Sequence, residues 1–172
     1  VEKIMIKSKD IFSLAAVAAG IFAVFGSSIF FTAIISDDIL YVSRFHQLEF
    51  SWNNLFFWLQ PVMALRSPLP AYTFMLDYLI WGWEFFLTGA HLGNILLHLT
   101  AAAGVFAGMR WLNFPAGAAL AGTLLWALHP QRAESVAWLS ERKDVLYAMF
   151  YFCALWLYIL YKKKDNLLFY IG

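Results

Sequence analysis

The segment His129–Asp144, HPQRAESVAWLSERKD, lies between two long apolar segments and determines how the chain is organised. It contains seven ionisable residues: His129, Arg132, Glu134, Glu141, Arg142, Lys143 and Asp144. Ionisable groups beside a bilayer either anchor the topology or belong to a site. An anchor requires only Lys and Arg, whereas both signs of charge are interleaved here. The mixture therefore favours a site for a charged small molecule at the membrane surface.

The composition is that of an integral membrane protein. Of the 172 residues, 62% are hydrophobic and only 13% are charged, whereas soluble domains contain about a quarter charged residues. The net charge is +1 and the basic residues are dispersed, so nucleic acid is not an expected partner. Cys153 is the only cysteine, which excludes a disulfide within one chain.

Apolar segments predict an all-α fold with about four transmembrane helices in a single membrane domain. The predicted spans are 11–35, 91–110, 114–128 and 145–161. The two external loops are then 36–90 and 129–144. The first loop is aromatic and is interrupted by polar residues and prolines, which is typical of amphipathic helices lying in the membrane interface. Residues 71–83 are predicted to form one of these helices.

Lysines at both ends of the chain indicate its orientation. They are Lys3, Lys7 and Lys9 before the first span, and Lys162, Lys163 and Lys164 after the fourth. The positive-inside rule therefore predicts that both termini are cytoplasmic. Arg142 and Lys143 lie in a predicted external loop, against this trend, which suggests that they are needed there. We expect a multi-pass protein of a bacterial inner membrane rather than of the endoplasmic reticulum, and the apolar stretch NLLFYIG suggests part of a longer protein.

Asp37 and Asp38 follow the first span directly. Adjacent carboxylates repel each other, so one of them can hold its proton more tightly, and the pair could also bind a divalent cation. A carboxylate at this depth could act as a general base toward an incoming hydroxyl. The alternative is a hydrophilic helix end without a chemical role, and the pair taken alone favours that alternative.

A polar stripe is predicted inside the second span. His91, Asn94 and His98 follow an i, i+3, i+7 spacing, which places them on one face of a helix. Such a stripe faces the helix bundle or a wet cavity. For His98 an interhelical hydrogen bond is at least as good an explanation as a site, whereas His91 lies at the mouth of the span and could line one. Histidines two turns apart do not easily share an ion, so no metal site is predicted.

The basic residues of the second external loop could bind phosphate. Arg132, Arg142 and Lys143 could together hold a phosphate or a pyrophosphate. Further residues could line the same site: His91, His129, Glu134 and Asp144. The alternative is a surface salt-bridge network that fixes the loop, and this network is compatible with a ligand site.

Four segments together resemble the N-terminal membrane part of the GT-C type glycosyltransferases. They are SDDILYV (36–42), RSPLPAYTFMLDYLIWG (66–82), AHLGNILLH (90–98) and WALHPQRAESVAWLSERKDVLYAMFYFCALWLY (126–158). The chain resembles in particular the O-mannosyltransferases that carry tetratricopeptide repeats and their bacterial relatives. The resemblance covers roughly residues 11–161.

This resemblance implies transfer of a sugar from a polyprenyl-phosphate donor to an acceptor on the non-cytoplasmic face. Such enzymes have an acidic residue in the first external loop that is catalytic or positions the acceptor, and it maps onto Asp37 or Asp38. The basic residues that bind the donor phosphate map onto Arg132, Arg142 and Lys143.

Two features depart from the family pattern. Family members have many more spans than the four predicted here, and Arg66-Ser67-Pro68-Leu69 contains an extra serine where Arg-Pro-Leu is expected. A different class of function therefore stays open. In this alternative the chain is a non-catalytic transmembrane subunit, built on a shortened scaffold, whose partners are other membrane subunits.

Overall fold

The computed structural model describes residues 8–32, Asp38 and residues 68–164. These residues form six α-helices and two 3-10 helices: α1 Ser8–Phe25, a 3-10 helix Gly26–Phe30, α2 Pro68–Trp81, α3 Phe86–Trp111, α4 Ala116–Ala127, α5 Arg132–Ala137, a 3-10 helix Leu139–Glu141 and α6 Arg142–Lys164. No strand occurs in these ranges.

Three stretches are long and apolar enough to cross a membrane: Ser8–Phe30, Phe86–Trp111 and Leu139–Lys162. The 12-residue helix α4 is apolar but shorter. The prediction of an all-α, multi-pass membrane protein is therefore confirmed. The predicted interfacial helices between residues 39 and 67 lie outside the described residues.

Local chemistry explains why several helix bounds differ from the predicted spans. The first helix tightens into 3-10 geometry at Gly26, where Ser28 Oγ donates a hydrogen bond to the carbonyl of Phe25 over 2.7 Å. Helix α2 begins at Pro68, because proline has no N–H and is tolerated in the first turn, and it ends before Gly82, whose φ is +67°. The chain between α3 and α4 turns at Asn113, whose φ is +64°.

Helices α1 and α3 run antiparallel. At one end Arg110 Nε donates to Asp10 Oδ1 over 2.8 Å, and at the other end the rings of Phe31 and His91 meet edge to face, with centroids 6.0 Å apart. We call the first the Asp10 end of the bundle. The second is the Asp38 end, because Asp38 lies there too, as described below.

Helices α3 and α6 run parallel, and both begin at the Asp38 end. Asn94 contacts Arg142 near the start of the two helices, and Gly104 faces Phe152 further along. Helix α3 packs against every other described helix and provides the centre of the main apolar core, which contains Val17, Ile21, Phe25, Ile95, Ala102, Ala127, Val136 and Val145. The start of α6 is therefore fixed against the start of α3.

Gly104→Ala is expected to lower the thermal stability of the protein in detergent. A Cβ at Gly104 would lie 2.4 Å from the Cβ of Phe152, so α3 and α6 would have to separate. Overpacking of this kind costs about 1–3 kcal/mol. Gly117→Ala is the matched control, because a Cβ there meets no atom within 4 Å. Equal melting temperatures for the two variants would contradict the close approach of α3 and α6.

Candidate functional site

Arg142 lies at the centre of the Asp38 end and is only 1% exposed. Its guanidinium donates hydrogen bonds to Asn94 Oδ1 (2.6 Å), Thr73 Oγ1 (3.3 Å), the carboxylate of Asp77, and the carbonyl of Ala90 (2.5 Å). Its Cζ also lies 3.9 Å from the centroid of the Phe74 ring. A buried charge is tolerated when it is paired and hydrogen-bonded, and Arg142 is paired with Asp77 and donates from all three guanidinium nitrogens.

Asp77 is the counter-ion of Arg142, and Gly93 makes room for the pair. A Cβ at Gly93 would lie 2.9 Å from Arg142 Nη2 and 3.4 Å from Asp77 Oδ1. Burial raises the pKa of the Asp77 carboxyl, and the adjacent guanidinium opposes this shift. The ion pair therefore joins α2 to α6 over the position on α3 where Gly93 has no side chain.

Asp77 was not among the predicted site residues, although it lies in the predicted interfacial helix 71–83. Asp77 nevertheless carried a signal of a site, because a single carboxylate within an apolar helix requires a partner. The partner is Arg142, which was already a predicted site residue because the positive-inside rule does not favour a cation in an external loop.

Asp38 is 3% exposed and is fixed by Ser140. Its Oδ1 accepts hydrogen bonds from the backbone N–H of Ser140 (2.9 Å) and from Ser140 Oγ (2.5 Å). Ser140 precedes Arg142 by two residues, so the carboxylate lies against the segment that joins α5 to α6. Asp37, the other predicted catalytic residue, lies outside the described residues.

Two members of the polar stripe on α3 make structural hydrogen bonds. Asn94 Nδ2 donates to the carbonyls of Val136 (3.3 Å) and Trp138 (3.4 Å), which holds the segment after α5 against α3. His98 Nε2 lies 2.9 Å from the carbonyl oxygen of Ala127. The interhelical hydrogen bond considered for His98 is therefore present, and it ties α4 to α3.

His91 differs from the other two. It is 3% exposed, and neither ring nitrogen has a hydrogen-bond partner among the described residues. The ring lies edge-on to Phe31 and close enough to Asp38 and Arg142 to interact with them electrostatically. Buried polar groups are normally hydrogen-bonded, and an unpaired one costs about 1–3 kcal/mol. His91 is therefore a candidate for a contact with substrate.

The three predicted phosphate ligands have different surroundings. Arg142 is enclosed by protein acceptors. Lys143 is half-exposed, with its Nζ 2.7 Å from Glu141 Oε1. Arg132 lies over the ring of Trp126, with its Cζ 4.8 Å from the ring centroid, and its Nε is buried without a partner among the described residues.

The remaining predicted residues lie on the same segment but are more exposed. Asp144 Oδ2 accepts a hydrogen bond from Ser135 Oγ over 3.2 Å. His129 is exposed, and its Nδ1 accepts from the backbone N–H of Gln131 over 3.3 Å. Glu134 is also exposed. Within the part of the chain that the structure describes, no three His, Cys, Asp or Glu side chains form a group suited to a metal ion, so a divalent cation stays a prediction.

Comparison with known proteins gives two partial similarities. Protein O-mannosyl-transferase TMTC4 of Mus musculus is 34% identical over 97 residues, which cover 49% of this chain and 13% of that protein. Protein O-mannosyl-transferase Tmtc2 of Drosophila melanogaster is 38% identical over 102 residues, which cover 55% of this chain and 11% of that protein. No family model matches the chain, and no solved structure matches it at a comparable significance.

The chain therefore spans only a small part of the length of these relatives. The predicted resemblance to O-mannosyltransferases is confirmed over about half of the chain, whereas the GT-C type stays a prediction. Both relatives are animal proteins, so the expected location in a bacterial inner membrane gains no support from them.

Proposed function

We propose that this chain is the N-terminal membrane part of a glycosyltransferase that transfers a sugar from a polyprenyl-phosphate donor to a hydroxyl acceptor. The observation that carries the proposal is the position of Asp38, which is buried and fixed by Ser140 beside the network of Arg142. The partial similarity to two protein O-mannosyl-transferases supports the reaction class.

In the proposed reaction the acceptor hydroxyl attacks the anomeric carbon of the donor sugar. A new bond forms between the acceptor oxygen and this carbon, and the bond from the carbon to the phosphate oxygen breaks. Asp38 takes the proton of the hydroxyl, and the lipid phosphate leaves with the electron pair. The hydrogen bonds from Ser140 hold the carboxylate in place before the acceptor arrives.

Lys143 is the cation best suited to the leaving phosphate. Arg142 is enclosed by protein acceptors, whereas the side chain of Lys143 is 51% exposed and its Nζ lies 2.7 Å from Glu141 Oε1. An exposed ion pair contributes about 0–1 kcal/mol, so Glu141 can give way to a phosphate at little cost. Positive charge beside the phosphate stabilises the charge that develops on it in the transition state.

We further propose that the Asp38 end faces away from the cytoplasm. The Asp10 end carries Lys9, Arg110 and Lys162, against a single described acid, Asp10. At the Asp38 end, Arg142 is neutralised by Asp77 and Lys143 is paired with Glu141. The rule counts Lys and Arg, and the Asp10 end carries Lys9, Arg110 and the three lysines that end α6, against Arg132, Arg142 and Lys143 at the Asp38 end.

Labelling of single cysteines is expected to reveal this orientation. In a Cys153→Ser background, Gln131→Cys at the Asp38 end should react with a membrane-impermeant maleimide that reaches only the non-cytoplasmic face. In a plasma membrane this is the outer face of the cell, and in an internal membrane it is the lumenal face. Leu112→Cys, at the Asp10 end, should react only from the cytoplasm; both parent residues are exposed. Labelling of the two sites from one side would contradict the placement of the Asp10 and Asp38 ends on opposite faces of the membrane, and exchanged labelling would reverse the orientation.

Transfer of sugar by the full-length protein tests the proposed function directly. Purified protein in liposomes should move radiolabelled mannose from polyprenyl-phosphate mannose to a serine- and threonine-containing peptide. The product must be stable to mild acid, which releases the sugar from the donor. If a thermal-shift assay shows that the protein is folded and no product forms, the proposal is rejected in favour of a non-catalytic subunit.

His91→Phe is expected to reduce transfer at least tenfold without loss of stability. Phenylalanine fills the buried site and removes two ring nitrogens that have no partner among the described residues, so the melting temperature should stay the same or rise. His98→Phe is the matched control, because it removes the contact with Ala127 and should lower the melting temperature. Full activity of His91→Phe would show that the imidazole does not contact substrate.

A further inference from the structure

A cleft of about 320 Å³ opens between α4 and α6 at the Asp38 end. Its principal lining residues are Trp126, Arg132, Asp144, Tyr147 and Tyr151. Its volume is that of a small ligand site, for which about 300–1,000 Å³ is usual. Asp38, His91 and Lys143, which act in the proposed reaction, are not among its lining residues, so the cleft is distinct from that site.

Two opposite charges line this cleft without neutralising each other. Arg132 Nε is buried and has no partner among the described residues, and none of the ion pairs between these residues joins Arg132 to Asp144. The hydrogen bond from Ser135 fixes the Asp144 carboxylate over 3.2 Å. A cation and an anion held apart in one cleft are complementary to a ligand that carries both charges.

Aromatic rings form the walls of the cleft and are held by each other. Phe152 meets Trp126 edge to face at 5.6 Å and Tyr151 at 5.2 Å between centroids. Tyr147 and Tyr151 stack at 6.4 Å and are largely exposed on the surface of α6. The face of an aromatic ring attracts an organic ammonium group.

We propose that the cleft binds the zwitterionic head group of a membrane phospholipid. Arg132 receives the phosphate, and Asp144 receives the ammonium group beside Tyr147 and Tyr151. The ligand is a lipid because the cleft lies near the start of a helix long enough to span the membrane, on an exposed face. Tyrosine and tryptophan are enriched at this depth, where the head groups lie.

Native mass spectrometry of the full-length protein tests the proposal. Protein in detergent would be mixed with phosphatidylethanolamine, phosphatidylglycerol or polyprenyl phosphate, and the two phospholipids would carry the same acyl chains. The measurement is the fraction of protein that retains each lipid. The protein should retain phosphatidylethanolamine about tenfold better than phosphatidylglycerol, which lacks the ammonium group. Equal retention of these two phospholipids would overturn the proposal.

Charge variants separate the two halves of the site. Asp144→Asn should abolish the preference for phosphatidylethanolamine while leaving phosphatidylglycerol bound, and Arg132→Gln should weaken both. Ser135→Ala removes the hydrogen bond but keeps the carboxylate, so it should keep the preference. If Ser135→Ala matched Asp144→Asn, the carboxylate would be structural and the proposal wrong.

The polyprenyl phosphate arm distinguishes this site from that of the sugar donor. If polyprenyl phosphate displaced phosphatidylethanolamine and Arg132→Gln abolished its retention, the cleft would belong to the donor and the present proposal would fail, while the proposed function would stand. Lipid retention and sugar transfer are measured separately, so loss of phosphatidylethanolamine selectivity overturns only the present proposal. The two proposals therefore fail separately.

Discussion

Asp38→Asn is expected to lower sugar transfer by the full-length protein about 100-fold or more, because a general base contributes that much to a proton transfer. Asparagine has the size of aspartate, and its side-chain oxygen can still accept the two hydrogen bonds from Ser140. The variant therefore removes the basic group and keeps the local geometry. The measurement is the initial rate of mannose transfer at saturating donor.

Two matched variants identify the cause of any loss. Ser140→Ala keeps the carboxylate and removes one of the hydrogen bonds that fix it, so it should lose activity only several-fold. Asp37→Asn tests the neighbouring carboxylate, which the sequence does not distinguish from Asp38. Full activity of Asp38→Asn would remove the proposed base, and a loss confined to Asp37→Asn would transfer the role to Asp37.

Arg142→Met is expected to destabilise the protein by about 3–5 kcal/mol, the usual cost of breaking a buried ion pair. Methionine fills much of the volume but leaves the carboxylate of Asp77, Asn94 Oδ1 and the carbonyl of Ala90 without their donors. The change would appear as a lower midpoint of thermal or denaturant unfolding in detergent. Lys143→Gln is the control, since its exposed pair with Glu141 should contribute less than about 1 kcal/mol.

A double variant tests whether charge is the reason for the loss. Asp77→Leu together with Arg142→Met replaces the ion pair by apolar side chains, which is often neutral in a buried position. We expect the double variant to be more stable than Arg142→Met alone. If the double variant were less stable than either single variant, the shape of the ion pair rather than its charge would hold the helices together.

The membrane class and the helices were predictable from the sequence because apolar length is a local property. The segments around 91–110 and 145–161 contain few charges, and both lie within helices of the predicted kind. The end of α1 was less predictable, since the helix changes to 3-10 geometry at Gly26, where Ser28 Oγ donates a hydrogen bond to the carbonyl of Phe25. Hydropathy does not register such a bond.

The partners of the site residues were not predictable, because they come from distant parts of the chain. Asp77 and Arg142 are separated by 65 positions, and Asp38 and Ser140 by 102. The spacing of His91, Asn94 and His98 gave a common helix face but not their different roles. Those roles depend on which backbone carbonyls α4 and the segment after α5 bring to that face.

The distance along the chain between Asp77 and Arg142 also has a consequence for biosynthesis. Helix α2 leaves the ribosome 65 residues before its counter-ion, an interval of roughly 3–13 s at a synthesis rate of about 5–20 residues per second. During this time Asp77 lacks the guanidinium of Arg142, so their buried ion pair can form only after the start of α6 has been synthesised. The contact between α2 and α6 is therefore completed late in the synthesis of the segment that these two helices bound.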